Sequence, residues 1–379
     1  MNMKQSDHTV RKAITIKLNR HDLKKKLYPL AIGLLLFASA LHAQDAHYSQ
    51  FYNAPAMVNP ALNGVYRGDV RFMANYRSQW QSVPVSYSTF TGFADMKFIG
   101  RTDRKGFFAG GLAFNYDHAG DSKLALANLN ASLSYVKTFS PKVFGSVGFY
   151  VGGNQRAFKL GDLRFENQFD DELGSYDPGL STGEAFDETS IFFLDLGAGL
   201  NLRFQSEQTE TLLDLLDKRT KLDIGVGFFH LNRPNQSFYD NDEIELPVRV
   251  SPYAFGTLMV GRNIDVVANF SGQFQQKYRE LVAMAGVKFH FNDRQPGRQF
   301  ALQVGAGYRF NDFGEIGNGD AFFPGVEVTW NGWNAGFTYD INISDFSVAT
   351  RRRGGPEFSL RYIINKIRPL PSHQVCPLI

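Results

Sequence analysis

Residues 322–343 read FFPGVEVTWNGWNAGFTYDINI, and this stretch decides the fold. Apolar side chains occupy every second position on both sides of Asn331-Gly332. Successive side chains of a β-strand point to opposite faces, so each run has one apolar and one more polar face. Asn-Gly tolerates the two positive φ angles that a two-residue hairpin turn requires. The stretch therefore predicts two antiparallel strands joined by a tight turn.

The length of these runs distinguishes a membrane hairpin from a soluble one. Each run spans nine to eleven residues, which is the length of a tilted strand that crosses a bilayer. Strands of soluble sheets average nearer five or six residues. Trp330 and Trp333 flank the turn, where membrane barrels place aromatic girdles at the interface with water. The hairpin is typical of a transmembrane β-barrel.

The same alternation recurs through most of the chain, although its phase is ambiguous in 248–260. With the hairpin it gives fourteen strands, an even number as single-chain bacterial barrels require. The sequence therefore predicts an all-β, antiparallel transmembrane β-barrel of about 14 strands within residues 68–364. The other predicted strands are 70–80, 86–98, 106–116, 125–135, 143–156, 192–203, 221–231, 248–260, 264–275, 280–291, 299–310 and 357–364.

Connection lengths predict the sidedness of the barrel. Connections after odd-numbered strands are long, among them 157–190 and 344–355, whereas most of those after even-numbered strands are short. Outer-membrane barrels have long outer loops and short periplasmic turns, so the N-terminus is expected on the periplasmic side. The exception is 205–220, where TLLDLLDK predicts a short periplasmic helix.

Residues 1–43 are predicted to be a cleaved signal peptide. Several Lys and Arg residues precede the apolar run Leu30–Leu41, and small residues follow it, so cleavage is expected after Ala43 or, second, near Ala38-Ser39-Ala40. This segment carries 8 of the 40 Lys and Arg and 2 of the 37 Asp and Glu, which leaves a net charge of −3 in the remainder. A basic composition that would favour nucleic-acid binding is therefore lost.

Two further segments flank the predicted barrel. Residues 44–67 contain prolines and aromatics that break the alternation, and they are expected to form an irregular lead-in, either against the periplasmic mouth or as a plug in the lumen. Residues 365–379 are expected to form a periplasmic tail. This tail holds Cys376, the chain's one cysteine, so an internal disulfide is excluded.

The sequence gives no pattern for an enzyme, a cofactor or a metal. The histidines after residue 43 do not stand at ligand spacing, and no serine has a nucleophile-elbow context. The Gly-Ala-Gly triplets at 197–199 and 305–307 lie inside alternating strands without a following helix. They predict relief of crowding on the lumen face rather than a nucleotide loop.

Charged residues of both signs fall on the predicted inner face. They would either pair with one another as lumen lining or form a selective pore. A basic patch at Arg351, Arg352 and Arg353 would either pair with the acidic 157–190 loop or receive an acidic partner. The inward charges are Arg71, Arg77, Arg156, Asp195, Arg203, Asp223, Glu280, Lys288, Arg309, Glu327, Asp340, Glu357 and Arg361.

Four blocks resemble the PorP/SprF family of outer-membrane proteins of the type IX secretion system. The first is SQFYNAPAMVNPALNGVY followed by GDVRFMANYRSQW. The second is FENQFDDELGSYDPGLSTGE (165–184), and the third is FHLNRPNQSF (229–238). The fourth is FTYDINISDFSVATRRRGGPEFSLRY (337–362) with the closing VCPLI. The resemblance covers the chain after residue 43 in order.

The resemblance implies a non-enzymatic outer-membrane barrel that docks or retains a large adhesin carrying a C-terminal secretion domain during export and surface attachment. In some relatives this supports gliding motility. It also implies periplasmic type IX secretion components as partners, with outer-membrane lipid around the barrel. From predicted exposure and motif position, the expected partner contacts are Asn232, Arg233, Pro234, Arg351, Arg352 and Arg353. The alternative is a diffusion or substrate-specific porin.

Overall fold

The computed structural model describes Asp45 and residues 47–80, 82–83, 86–98, 106–120, 124–170, 174–184, 188–206, 219–238, 245–291, 299–311, 319–345 and 347–364. The predicted signal peptide, the TLLDLLDK segment and the predicted tail 365–379 lie outside the described residues.

Within the described residues, fourteen strands form one closed antiparallel barrel, and the last strand pairs with the first, Ile364 opposite Val70. Closure leaves no unpaired sheet edge. A separate small hairpin, β6 with β7, lies in the connection after β5. The strands are β1 (Val70–Gln79), β2 (Tyr87–Phe98), β3 (Gly106–Ala119), β4 (Leu124–Ser140), β5 (Val143–Ala157), β6 (Phe169–Asp170), β7 (Ser175–Tyr176), β8 (Ser190–Gln205), β9 (Lys221–Phe229), β10 (Arg249–Gly261), β11 (Ile264–Gln275), β12 (Tyr278–Phe291), β13 (Phe300–Asn311), β14 (Gly319–Trp330), β15 (Trp333–Asn342) and β16 (Arg353–Ile364).

The hairpin predicted at Asn331-Gly332 is confirmed as β14 and β15. Asn331 has φ 45° and Gly332 has φ 90°, both in the left-handed region that such a turn requires. Trp330 and Trp333 face each other across the ladder and are both exposed. One prediction here is wrong: β16 begins at Arg353, four residues before the predicted start, so Arg353 belongs to the strand rather than to the loop.

Large apolar side chains alternate with buried polar ones along the barrel wall. Phe72 and Tyr76 are exposed on β1, for example, whereas their neighbours Arg71, Asn75 and Arg77 are buried. Exposed apolar surface repeated on every strand is unfavourable in water and suits a lipid environment. Among the described residues, no helix has both the length and the apolar character needed to cross a membrane.

Strand order divides the connections between two ends of the barrel. The short-turn mouth has connections 99–105, 141–142, 206–220, 262–263, 292–299 and 331–332. The long-loop mouth has connections 80–86, 120–123, 158–189, 230–248, 276–277, 312–318 and 343–352.

Asp45 and residues 47–67, named the lumen segment, lie inside the ring of strands. Its short helical pieces are Phe51–Asn53, α1 (Pro55–Val58) and Pro60–Leu62. Other short helices lie at Leu160–Asp162, Glu166–Gln168 and α2 (Ser347–Thr350). Apolar residues of the lumen segment pack with inward side chains of the wall into the main hydrophobic cluster of the described residues: Phe51, Val58, Leu62, Val65, Val136, Tyr253, Val282, Met284 and Phe323.

Candidate functional site

The lumen segment runs from the long-loop mouth to the short-turn mouth. At its start, Asp45 contacts His230, which follows the last residue of β9. At its end, the Tyr66 hydroxyl donates to the Asp95 carbonyl near the end of β2, and Lys97 donates to the Tyr66 carbonyl. The segment therefore occupies the lumen, which was one of its two predicted placements, but Asp45 lies at the long-loop mouth and not on the short-turn side where the N-terminus was expected.

The first residues of the segment, near the long-loop mouth, are held by two carboxylates of the barrel wall. The backbone N–H groups of Ser49 and Gln50 both donate to Glu357, at 2.7 Å each. The Ser49 hydroxyl donates to Asp340 at 2.6 Å and accepts a hydrogen bond from Arg309. Hydrogen bonds to charged groups are stronger than those between neutral groups, so this contact fixes the start of the segment to β13, β15 and β16.

Three buried asparagines attach the rest of the segment to the wall, towards the short-turn mouth. Asn53 donates to Glu327 at 3.0 Å, Asn59 to the Leu200 carbonyl at 2.9 Å, and Asn63 to the Ser132 hydroxyl at 2.7 Å. An amide carries two donors and an acceptor, so it satisfies polar groups of both the segment and the wall.

Wall side chains also satisfy the backbone of the segment, which has little regular structure of its own. Buried carbonyl groups need partners, because leaving them without one costs free energy. Seven segment carbonyls accept hydrogen bonds from wall side chains: His47 from Arg77, Met57 from Arg249, Ala61 from Ser146, Leu62 from Arg71, Asn63 from Ser134, Val65 from Arg203 and Tyr66 from Lys97.

Glycines on the lumen face make room for the segment. A Cβ atom added at Gly148 would lie 2.5 Å from the backbone of both Pro60 and Ala61, and one at Gly199 would overlap the Asn59 side chain. Gly199 belongs to the first of the Gly-Ala-Gly triplets. The predicted relief of crowding is confirmed there, and the group that needs the space is the lumen segment.

An ion-pair cluster fastens Asp45 at the long-loop mouth. His230 Nε2 lies 2.8 Å from Asp45 and its Nδ1 lies 3.0 Å from Asp195, while Arg249 lies 3.2 Å from Asp45. Burial lowers the pKa of His230, but the two carboxylates outweigh it and raise that pKa to about 9. Burial raises the pKa of Asp45, but His230 and Arg249 bring it below its ordinary value. At neutral pH His230 is therefore protonated and Asp45 ionised.

His47, close by, behaves in the opposite way. Burial and the nearby guanidinium groups of Arg77 and Arg309 hold its pKa well below the usual value for histidine. The imidazole is consequently neutral at pH 7, and its 3.5 Å contact with Glu280 is not an ion pair there.

The inward charges predicted from sequence pair with one another in several places. Arg77 and Arg309 both contact Asp340, at 2.6 and 3.2 Å, and Arg203 contacts Asp223 at 2.8 Å. These contacts support self-paired lining over a selective pore. The prediction overlooked His230, Arg249 and Asp265, which also bond inside the barrel.

The predicted contact residues Asn232, Arg233 and Pro234 lie in one loop at the long-loop mouth. Asn232 is exposed at the surface, yet its side chain accepts from the Leu196 N–H and donates to the Leu194 carbonyl, so it holds the loop against β8. Arg233 is exposed with φ 44°, whereas Pro234 is buried.

Arg351 and Arg352 follow α2 in a second loop at the same mouth, Arg353 begins β16, and all three side chains are exposed. Arg351 and Arg352 have φ 52° and 61°. In the described part of the chain, the ion pairs do not include any of these three guanidinium groups.

No group of three or more His, Cys, Asp or Glu side chains in the described residues is placed to hold a metal ion.

The closed barrel, its exposed apolar wall and its occupied interior define a class: a membrane β-barrel whose lumen is filled by its own N-terminal segment. The family profile described as type IX secretion system membrane protein PorP/SprF matches residues 40–362. This chain belongs to that family.

Solved structures with a similar chain path include the Ralstonia pickettii toluene transporter TbuX, at 12% identity and a TM-score of 0.47, covering 83% of this chain and 94% of that one. BamA from Haemophilus ducreyi lacking POTRA domains 1–3 is 8% identical with a TM-score of 0.41, covering 78% and 70%. Comparison with curated proteins gave no match.

Proposed function

We propose that this protein is a plugged outer-membrane barrel of the type IX secretion system. It docks or retains a large adhesin with a C-terminal secretion domain during export and surface attachment. The long-loop mouth faces outward and the short-turn mouth faces the periplasm, where other secretion components bind. A cleaved signal peptide directs export of the chain, and outer-membrane lipid surrounds the barrel. Where the adhesin is one that drives gliding, the protein supports gliding motility.

The single observation that carries this proposal is the attachment of the lumen segment. Backbone and side-chain groups from Ser49 to Tyr66 are bonded to opposite sides of the wall. A diffusion porin needs a continuous water path. A filled lumen instead suits a protein that acts through its surfaces, and partner docking is such a function.

The docking surface is proposed at the long-loop mouth around Arg351, Arg352 and Arg353. These guanidinium groups are exposed and without ion pairs among the described residues. Arginine forms bidentate hydrogen bonds with carboxylates, so an acidic face of the adhesin's secretion domain is the complementary surface.

Planar-bilayer conductance tests the plugged barrel. The wild-type protein is expected to show no steady open channel, and deletion of residues 44–66 is expected to open one, because the segment fills the lumen. Steady conductance in the wild type that is unchanged by the deletion would support the porin alternative and refute the plug.

Surface display of the adhesin tests docking separately. Replacing Arg351, Arg352 and Arg353 with Ala is expected to reduce display while leaving barrel assembly unchanged. The matched control replaces Lys277 and Arg279 with Ala, since both are exposed cations at the same mouth. Equal display in the two variants would remove the patch from the proposed mechanism.

A further inference from the structure

A cavity of about 330 Å³ lies between the lumen segment and the short-turn mouth. It is named the vestibule. Its upper side is formed by Tyr52, Asn53, Leu62 and Val65 of the lumen segment. The remaining lining comes from the ends of strands that meet at this mouth, chiefly β8, β9, β11, β12 and β16. The volume lies at the lower end of the range for ligand sites in proteins.

Cations outnumber carboxylates on the vestibule lining. Two carboxylates are already neutralised, because Arg203 pairs with Asp223 at 2.8 Å and Arg219 pairs with Asp265 at 2.9 Å. The third, Glu327, accepts hydrogen bonds from Asn53 and Asn334. The lining cations are Arg67, Arg71, Arg203, Arg219, Lys221, Lys288 and Arg361, and the lining carboxylates are Asp223, Asp265 and Glu327.

Three of these cations form no ion pair within the described residues: Lys221, Lys288 and Arg361. Lys288 donates to the Thr329 hydroxyl at 3.2 Å. Lys288 and Arg361 are partly buried, so bulk water does not fully solvate their charges. A partly buried charge without an ion-pair partner is costly, and an anion that enters the vestibule would reduce this cost at Lys288 and Arg361, while Lys221 is exposed at its edge.

The position of the vestibule favours one source of anion. It lies inside the ring of strands, so a lipid headgroup would have to leave the bilayer to reach it. Its lining reaches Arg67, Arg219 and Ile363 near the short-turn mouth, where an extended peptide end could enter from water. Carboxylate side chains pair with Lys and Arg through short, charge-assisted hydrogen bonds.

We propose that the vestibule is a binding site for the acidic side chains of a peptide segment that a partner presents at the short-turn mouth. Lys221, Lys288 and Arg361 supply the positive charge, and the lumen segment closes the site from above. This site is separate from the docking surface at the long-loop mouth. Its test does not depend on the adhesin.

The experiment measures binding of a fluorescent hexaglutamate peptide to the purified full-length protein by anisotropy at low salt. Arg351, Arg352 and Arg353 are replaced with Ala in every arm, so that the exposed patch does not take up peptide. Saturable binding is expected, and it should weaken steeply as salt screens the charges. Hexaglutamine, which has the same length without charge, is expected not to bind.

The decisive variant combines Lys221→Gln, Lys288→Gln and Arg361→Gln, and it is expected to weaken hexaglutamate binding at least tenfold. The matched control combines Lys137→Gln, Lys277→Gln and Arg279→Gln. It removes three exposed charges outside the vestibule and is expected to change affinity less than twofold.

Single variants keep the test decisive if the triple variant does not fold. Lys221→Gln, Lys288→Gln and Arg361→Gln alone are each expected to weaken binding two- to fivefold. Unchanged affinity in all three, or equal loss in the control variant, would overturn the proposal. So would equal affinity for hexaglutamine.

Two further arms of the binding experiment test other occupants of the vestibule. If inorganic phosphate alone binds as tightly as hexaglutamate, the vestibule is a small-anion site and the peptide proposal is wrong. The chain's own acidic residues between β8 and β9 form the second arm, in which Glu207, Glu210, Asp214 and Asp217 are replaced with Gln. Unchanged peptide affinity supports a partner, whereas a tenfold increase would identify these residues as the natural occupant and overturn it.

Discussion

Gly148 on β5 is where a single added methyl group most directly opposes the lumen segment. The Cβ atom of Gly148→Ala would lie 2.5 Å from Ala61 N and from Pro60 C and O. Ordinary contacts between such atoms are roughly 3.5 Å or longer, so the segment must move by about 1 Å. Backbone atoms cannot rotate away as a side chain can.

The cost of this displacement has two parts. Overpacking of a close-packed interior costs about 1–3 kcal/mol. The Ser146 hydroxyl also loses its 2.7 Å hydrogen bond to the Ala61 carbonyl, which adds roughly 1 kcal/mol. The seated state of the segment is therefore expected to lose about 2–4 kcal/mol, and since about 1.4 kcal/mol corresponds to a factor of ten, its amides should exchange roughly 30- to 700-fold faster.

Hydrogen exchange with mass spectrometry on peptides covering residues 58–66 measures this effect. Amides of this region are hydrogen-bonded now, including Gly64 to Asp95 at 2.8 Å. Gly256→Ala is the matched control, because its added Cβ meets the Ala268 carbonyl at 3.2 Å and Leu222 rather than the segment. Exchange in 58–66 that is as slow in Gly148→Ala as in the wild type would refute the seating of the segment against β5.

Three further predictions concern the wall and its interfaces. Arg309→Met is expected to lower the free energy of unfolding by about 3–5 kcal/mol, because it leaves the buried Glu280 without a guanidinium partner and Asp340 with Arg77 alone of its two; urea denaturation measures this, with exposed Arg279→Met as an unaffected control. Since folding raises the pKa of His230 from 6.5 to about 9, its stabilising contribution is complete below pH 6.5 and lost as pH rises through 9. Amide hydrogen exchange near Asp45 should therefore increase between pH 8 and about 10 in the wild type. An equal increase in His230→Gln would contradict the assignment of this effect to His230. Trp330 is 57% exposed beside the short turn, so its fluorescence in bilayers should be quenched more by lipids brominated near the headgroup than near the chain end; comparison with Trp330→Phe isolates its signal, and the reverse order would contradict an interfacial position.

The alternation of polar and apolar residues did not give the phase of β10, and this has a physical reason. The inward residues of this strand include Tyr253 and Phe255, which are as apolar as the outward Val250 and Leu258. The rings of those two aromatics pack against each other at a tilt, and Phe255 contacts Phe51 of the lumen segment. An inner face that packs against a plug is not polar, so polarity could not give its phase. The sequence did contain one usable signal for the phase of this strand. Arg249 and Ser251 are two positions apart and share a face with Tyr253 and Phe255, so their polarity marks that face as inward.

The loop residues show a similar limit. Asn232, Arg233 and Pro234 are consecutive, and motif position alone cannot separate their environments. The structure gives them three different ones: a side chain bonded to the backbone of β8, an exposed guanidinium and a buried ring. Exposure of a loop residue depends on the neighbouring strands, which lie far away in sequence.

The sequence by itself determined the barrel, its strand count, its tight hairpin turn and the outward face of most strands, β10 being the exception. These properties depend on period-2 alternation and on turn residues, and both are local. Only the tertiary structure decided where the lumen segment lies, which inward charges pair and which cations of the described residues form no ion pair. Those outcomes depend on contacts such as Ser49 with Glu357 and Gly148 with Ala61, which closure of the barrel brings together and local pattern cannot specify.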